Sequence, residues 1–485
     1  MFPLPSSTMD ARPTKVRFAP SPTGLLHLGN VRTALFNFLI ARKARGVFLL
    51  RIEDTDAARG HEKYTQALQE DLRWLGLQWQ EGAGVGGESG PYLQSQREAI
   101  YKSYFVALEN QGLAYHCFCT QHELETERKT QRAAGRPPRY SGRCRSLTHE
   151  EIAARLSTGT PATLRFHVKP GEVLEFEDRV RGSQRFSSED IGDFVIRRSD
   201  GTSAFFFSNG VDDARMGITL VVRGEDHLTN TPRQMLILQA LDLPIPDYAH
   251  IALVVGASGA PLSKREGSRT IRELRDTGFL PLAIINYLAR LGHTYDDNSL
   301  MTLHALAMDF DIARLHRAPA RFDEAQLMHW QHEAVRVASD AELWSWMGEK
   351  VHALVPQAKY RAFVETVRPN VRLPLDALDW ARNLFTDESF TVSGRSREII
   401  LDTPASYFEC FLELYEQFHG DLHLLVGREL PARTGRKGAA AFQPLRAALT
   451  NELRGPELAR LLEIMPADRI RSRIEYAKEA ASRGR

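Results

Sequence analysis

The sequence predicts an α/β Rossmann-like domain interrupted by an inserted α+β domain and followed by mainly α-helical domains. Three observations carry this prediction. A strand–loop–helix–strand pattern fills Lys15 to Asp54, and that order implies a parallel sheet. Buried-strand patterns return at 218–223 (ITLVVR) and 249–255 (AHIALVV), after a stretch whose character changes near residue 90. From about residue 270 onward the apolar spacing is mainly helical.

The elements follow in order. Lys15–Ala19 (KVRFA) alternates and stops at Pro20, as a strand does at a proline. PSPTGLLHLGN is a turn-rich loop. Val31, Ala34, Leu35, Phe38 and Leu39 then form one face of an amphipathic helix. Arg42, Lys43 and Arg45 suit the negative end of its dipole, and Gly46 is expected to end it. VFLLRIED is a buried strand that turns charged at its carboxyl end. Residues 115–145 carry three of the four cysteines, and 162–207 is rich in β-forming residues. Gly82–Gly87 (GAGVGG) satisfies G-x-G-x-x-G, but LQWQE before it and ESGPY after it are not a strand and a helix. It reads as a loop, which removes the best argument for an oxidoreductase. No internal repeat or long low-complexity segment is present.

A chain of 485 residues is too long for one domain; at ~150 residues each, about three are expected. With 43% hydrophobic and 25% charged residues it can build several packed cores. No apolar run reaches membrane-spanning length. The opening MFPLPSSTMDARPTK lacks the apolar core of a secretory signal and reads as a short lead, with Met9 as an alternative start. Cys117, Cys119, Cys144 and Cys410 are too few for a disulfide scaffold, so a reducing, cytoplasmic setting is expected. Three of them lie within 28 residues, which suggests a metal, whereas Cys410 falls on an apolar helical pattern and reads as core. Net charge is only +1, but from Arg428 to the end 13 Lys/Arg face 7 Asp/Glu. A basic module of that kind suits phosphate binding, or simply a solvated helical surface.

A phosphate is best held at a helix amino terminus, against free N–H groups. His27-Leu28-Gly29-Asn30, placed directly before the helix expected at Val31, adds a glycine for close approach and an imidazole that can donate. Arg17–Gly24 (RFAPSPTG), His27-Leu28-Gly29 and Arg51–Asp56 (RIEDTD), taken in this order, resemble the glutamyl-tRNA synthetases, a family of class I aminoacyl-tRNA synthetases. Ser208–Asp213 (SNGVDD), Arg223–His227 (RGEDH) and the Ser263-Lys264-Arg265 loop match as well. The resemblance covers essentially the whole chain; it is strong to about residue 270 and weaker beyond 340.

The resemblance implies a catalytic domain in two halves (1–90 and 204–256), an inserted acceptor-binding domain (91–203), a stem-contact domain (257–340) and a helical anticodon-binding region (341–485). It implies that His27, Gly29, Asn30, Ser263, Lys264 and Arg265 hold ATP, with His27, Gly29 and Lys264 serving catalysis. Lys264 is the counter-charge for the departing pyrophosphate. Family members commonly carry a lysine where Pro261 stands, so one phosphate contact is missing and Arg265 is expected to share the task. Arg17, Ala19, Ser21, Glu53, Phe205, Asn209 and Arg223 would hold the amino acid. The chemistry agrees: glutamate carries two carboxylates and one ammonium, which call for guanidinium forks and an acid. Phe205 replaces the family's usual tyrosine and removes a hydroxyl contact.

The implied reaction has two steps, adenylate formation from glutamate and ATP with Mg²⁺, then transfer to the terminal ribose of tRNA. Adenylate forms only with tRNA bound, no enzyme nucleophile is needed, and positioning and charge stabilisation dominate. Some members carry Cys-x-Cys…Tyr-x-x-x-Cys in the inserted domain, which Cys117, Cys119, Tyr140 and Cys144 match; structural zinc is the expectation, with His116 and His122 as rivals for the fourth place and metal-free thiols as the alternative. Thr434–Lys437 and Pro444–Arg446 resemble the anticodon-binding region. Members restricted to tRNA-Glu often read the last anticodon base with an arginine; the alignment puts Asn370 there, which suggests charging of tRNA-Gln as well or instead. A shift of one or two residues would put Arg368 or Arg372 in that place. A monomer is expected. Two rivals are weighed: an enzyme that glutamylates a modified tRNA base lacks anything like 340–485, and a non-catalytic tRNA binder would not need His27, Gly29, Glu53, Arg223 and Lys264 intact.

Overall fold

The computed structural model describes residues 13–55, 61–262, 269–386 and 391–483. Ser263, Lys264 and Arg265 therefore lie outside the described residues. The chain divides into two compact units: one runs to Leu274 and resumes over Ile284–Glu324, the other comprises Arg275–Ala283 and the chain from Ala325.

In the first unit the expected strand–helix–strand forms. Strand β1 (Lys15–Phe18) leads through a loop to the helix Leu28–Ala44, and β2 (Val47–Leu50) returns parallel to β1. Val16, Phe48, Leu49 and Leu50 are buried, as both-face burial of a parallel sheet requires. The short β3 (Glu81–Gly82) extends this sheet beyond β2.

Two details of the sequence reading need correction. The helix begins at Leu28 with His27 as its N-cap, so Leu28, Gly29 and Asn30 are its first turn and not part of the loop before it. Leu28 is fully buried and extends the apolar face one turn backwards. At the other end Arg45, not Gly46, takes the left-handed conformation (φ 52°). Gly46 is needed because a Cβ there would meet the Thr14 carbonyl oxygen at 2.0 Å. Gly82 is explained the same way, since its Cβ would stand 2.1 Å from the Leu50 carbonyl oxygen. The glycine-rich stretch is thus a turn packed on β2, with Gly86 N–H donating back to the Gly82 carbonyl (2.8 Å).

The region from residue 91 to 203 contributes two sheets. β4 (Ala114–Cys117), β5 (Thr163–Phe166) and β8 (Phe194–Arg197) form an antiparallel sheet of their own. The hairpin β6 (Val173–Asp178) and β7 (Gly182–Ser187) joins a different sheet, in the order β7-β6-β10-β9. There β9 (Leu220–Gly224) and β10 (Asp247–Ile251) run parallel, and Tyr248 of β10 pairs with Asp178 of β6. β9 is tied to β1 through Thr219 N–H on the Lys15 carbonyl (2.9 Å). β1, β9 and β10 therefore bring their carboxyl ends together.

The second unit is helical throughout its described residues. Helix Ala405–Phe418 buries Tyr407, Phe408, Phe411, Leu414 and Tyr415 on one face, and Ala467–Arg483 buries Ile470, Ile474, Ala477 and Ala481. Cys410 is half-buried beside this core, as expected. No described helix is long and apolar enough to cross a membrane.

Candidate active site

In parallel α/β sheets, ligands bind beyond the carboxyl ends of the strands. A cavity of about 580 Å³ opens there, between the ends of β1, β9 and β10. From the first strand and its loop it receives Arg17, Ala19, Ser21, His27, Gly29 and Asn30. From later elements it receives Glu53, Phe205, Asn209 and Arg223. Every described residue that the sequence assigned to ATP or to the amino acid thus meets in one space. Pro261 also lines it.

The walls hold a dense set of buried charges. Arg17 grips Asp213 with Nε and Nη2 (3.0 and 3.2 Å), a fork that fixes its plane. Arg51, fully buried, donates to Asp213 (2.7 Å) and to Glu53 (3.1 Å). Asn209 donates to the same Glu53 oxygen. Burial pushes the Glu53 carboxyl above its ordinary range, and the Arg51 and Arg17 charges work against that rise.

Arg223 differs. It is buried, and among the described residues no carboxylate lies within ion-pair distance of it. Its hydrogen bonds go to neutral acceptors: His250 Nε2 (3.2 Å), Asn209 Oδ1 (3.4 Å), Thr231 Oγ1 (2.9 Å) and Gln234 Oε1 (2.8 Å). Burial, reinforced by the Arg17 charge, brings it down to about 10. A dry guanidinium with no direct counter-ion favours an anionic ligand.

At the helix start, Gly29 leaves room for the His27 ring, which a Cβ would meet at 3.2 Å. His27 Nδ1 is buried without a protein partner among the described residues, and burial lowers its pKa, so the ring is a neutral donor or acceptor facing the cavity. Phe205 lines the cavity, its ring 5.3 Å from that of His227. His227 is itself held neutral, its pKa brought down to about 4 by burial and by Arg223. Sequence reasoning gave no role to Arg32, Asp178 or His250. Arg32 lines the cavity and donates to the Ala252 carbonyl (2.7 Å). A polar or ionisable residue among apolar neighbours, as at Arg32 and His250, is the available signal.

The cysteines form a second centre. Cys117, Cys119 and Cys144 place their sulfurs within 4.8 Å of one another. The Tyr140 hydroxyl lies 3.4 Å from Cys117 Sγ and 3.6 Å from Cys119 Sγ, and accepts from the Cys144 N–H (3.0 Å). Of the rivals, His116 is engaged elsewhere, with Glu109 (3.3 Å) and Arg197 (3.4 Å). His122 is exposed. Burial raises the Cys117 thiol, but the Tyr140 and Arg165 hydrogen bonds outweigh it and bring it to about 7. Three thiols and one phenol oxygen converging in this way fit a tetrahedral zinc ion.

Comparison with known proteins agrees with this geometry. The family described as "tRNA synthetases class I (E and Q), catalytic domain" matches residues 13–329, and an anticodon binding domain matches 341–478. The chain belongs to the class I tRNA synthetases of the glutamate and glutamine (E and Q) group. Among its relatives, "Glutamate--tRNA ligase 2" of Nitrosococcus oceani is 56% identical, over 96% of this chain and 98% of the relative. "Glutamate--tRNA ligase 1" of Methylococcus capsulatus is 53% identical, over 96% of this chain and 99% of the relative. The crystal structure of a glutamate tRNA ligase from Elizabethkingia meningosepticum, in complex with its amino acid, superposes with a TM-score of 0.86 at 29% identity, covering 96% of this chain and 99% of that one.

Proposed function

We propose that this chain attaches glutamate to tRNA in an ATP-dependent reaction through a glutamyl-adenylate. The observation that carries the reading is the buried Arg223, without a carboxylate partner among the described residues, in the same cavity as Glu53. Arg223 and Arg17 take the carboxylates of glutamate, and Glu53, steadied by Arg51 and Asn209, takes its ammonium. Ala19, Ser21 and Phe205 shape the remaining wall. The α-carboxylate oxygen attacks the α-phosphorus of ATP, the bond to the bridging oxygen breaks, and pyrophosphate leaves. A terminal ribose hydroxyl of tRNA then attacks the adenylate carbonyl carbon, and AMP leaves. His27, Gly29 and Asn30, at the positive end of the helix, orient the phosphates. Ser263, Lys264 and Arg265 enter by sequence alone, as the cationic side of the same site. Mg²⁺, when bound with ATP, screens the phosphate charge.

Residues 91–203 receive the acceptor end of tRNA, 257–340 contact the stem, and 341–485 meet the anticodon. Zinc held by Cys117, Cys119, Tyr140 and Cys144 would brace the acceptor-binding fold. The chain works in the cytoplasm as a monomer. ATP–pyrophosphate exchange measured with glutamate and tRNA tests the reading; exchange that ignores glutamate, or charging with another amino acid, overturns it.

A second reading concerns the tRNA. Asn370 is exposed at the end of the short turn Arg368–Asn370, and Arg368 is tied to Asp340 and the Arg336 carbonyl. The cavity of about 240 Å³ beside Asn370 is lined by Asp376, Asp379 and Glu452 with no arginine. This supports relaxed selectivity, with tRNA-Gln charged as well as or instead of tRNA-Glu. Labelled glutamate on the two purified tRNAs decides it; negligible product on tRNA-Gln ends the idea.

A further inference from the structure

Arg223 is held by a residue that is itself held. His250, on β10, has no exposed surface, and two groups approach its Nε2: Arg223 Nε at 3.2 Å and Thr231 Oγ1 at 3.1 Å. A guanidinium Nε–H can only donate. Nε2 must therefore be unprotonated, and the Thr231 hydroxyl, which already accepts from Arg223 Nη2 (2.9 Å), has its own hydrogen left for the ring. The ring proton then sits on Nδ1, which points at Asp178 Oδ2, 2.6 Å away.

Asp178 is equally well placed. It is buried at the end of β6, in register with Tyr248. Its Oδ1 accepts from the backbone N–H groups of Val180 (2.9 Å) and Arg181 (2.7 Å), which fix its orientation, and Oδ2 also accepts from the His250 backbone N–H (3.1 Å). Carboxylate, imidazole and guanidinium thus form one buried line running from the β6–β7 hairpin to the amino-acid pocket. Each proton along it has one consistent position.

We propose that Asp178 and His250 are positioning residues for glutamate recognition: Asp178 fixes the Nδ1–H tautomer of His250, which keeps Nε2 free to hold the Arg223 guanidinium at the substrate carboxylate. This rests on the reading that Arg223 binds a glutamate carboxylate. Neither residue touches substrate; both act through Arg223. The relay also makes the pocket sensitive to the seat of the hairpin, because the first link lies on β6 and the last on β9.

Asp178→Asn is the incisive variant. The Asn oxygen keeps the two turn N–H groups, so its amide nitrogen faces Nδ1 and donates to it. The ring proton moves to Nε2, where it opposes Arg223 Nε–H. We expect the KM for glutamate to rise about tenfold, the effect of one misplaced buried hydrogen bond. The KM values for ATP and tRNA should stay within twofold. His250→Gln retains an acceptor oxygen for Arg223 and has no tautomer to flip, so it should raise glutamate KM less, and adding Asp178→Asn to it should cause no further rise. Selective ¹⁵N-histidine spectra should show the His250 proton on Nδ1 in the parent and on Nε2 in Asp178→Asn. A glutamate KM within twofold of the parent in Asp178→Asn, while Arg223→Leu raises it strongly, overturns the relay alone. An unchanged glutamate KM in Arg223→Leu overturns the underlying reading of Arg223. Should Asp178→Asn not fold, His250→Gln and His250→Leu carry the test: equal glutamate KM values in the two, both at the parent level, overturn the proposal.

Discussion

In the helical unit Arg473 is buried, and its Nη atoms donate to the main-chain carbonyls of Leu449, Asn383 and Thr386 and to the Asn383 side chain. Those carbonyls stand at the ends of helices Ala439–Thr450 and Pro374–Phe385, where intrahelical donors have run out. In the strand-end pocket Arg223 is also buried, yet among the described residues no carboxylate lies within ion-pair distance of it, and its hydrogen bonds go to four neutral side chains. Both positions carry the desolvation cost of a cation. At Arg473 that cost is offset inside the fold, by closing two helices at their negative ends. At Arg223 it is left to be offset by a ligand. Of these two buried arginines, the one whose acceptors close helix ends serves the fold, and the one without a direct counter-ion is left for a ligand.

The sharpest way to break this comparison is to remove each arginine and ask what is lost. Arg223→Leu should lower kcat/KM for glutamate by roughly 100- to 1,000-fold, the effect of stranding a buried carboxylate, while the thermal midpoint stays close to the parent's. Arg473→Met should do the reverse. Three orphaned helix-end carbonyls should lower unfolding stability by about 3 kcal/mol, read by urea denaturation, with glutamate KM unchanged. Loss of activity in a fully stable Arg473→Met would contradict the division.

The thiol centre adds a smaller effect. Tyr140→Phe should weaken zinc binding by roughly 10- to 100-fold, measured by competition with a chromogenic chelator, and should leave glutamate KM untouched. Unaltered zinc affinity would remove Tyr140 from the centre. The pocket should also show its burial in a pH profile. Glu53 titrates above the ordinary carboxylate range because burial disfavours its charge. As pH falls through that raised value Glu53 becomes neutral, so glutamate KM should climb by up to about tenfold per pH unit, starting at a higher pH than a solvated carboxylate would give. For folding the sign is opposite. The folded chain binds this proton more tightly than the unfolded chain, so the contribution of Glu53 to stability is fullest at low pH and declines as pH rises through its folded value. The smallest change is expected at Asn370→Arg, which should shift the ratio of tRNA-Glu to tRNA-Gln charging by about tenfold without altering ATP–pyrophosphate exchange saturated with tRNA-Glu.

Much of the first unit was legible in residue order. Strand Lys15–Phe18, the helix after His27 and strand Val47–Leu50 follow from alternation, apolar spacing and an apolar run. The helix start is hidden in the sequence by the Pro- and Gly-rich loop PSPTGLLHLGN, whereas tertiary packing of Leu28 draws Gly29 and Asn30 into the first turn. The role of Gly46 was misjudged for a related reason: its contact partner, Thr14, belongs to the approach of a different strand. The described candidate residues of the pocket were named from motifs and do share one cavity. Their partners were not foreseen. Asp213 and Arg51 stand in matched motifs without an assigned contact, and His250 lies in what the sequence shows only as a buried strand.

By itself the sequence determined what is local or modular here: a parallel strand–helix–strand unit, a histidine and a glycine beside a helix amino terminus, a Cys-x-Cys with a Tyr-x-x-x-Cys, and membership of a synthetase family. Only the tertiary structure decided which charges face each other. Asp178 and His250 are 72 residues apart and Arg223 and His250 are 27 apart, and what joins them is the parallel register of β6, β10 and β9. Register is set by burial across a whole sheet and not by any one segment's propensity. The pairing that leaves Arg223 open and Arg473 closed therefore exists only in the folded chain.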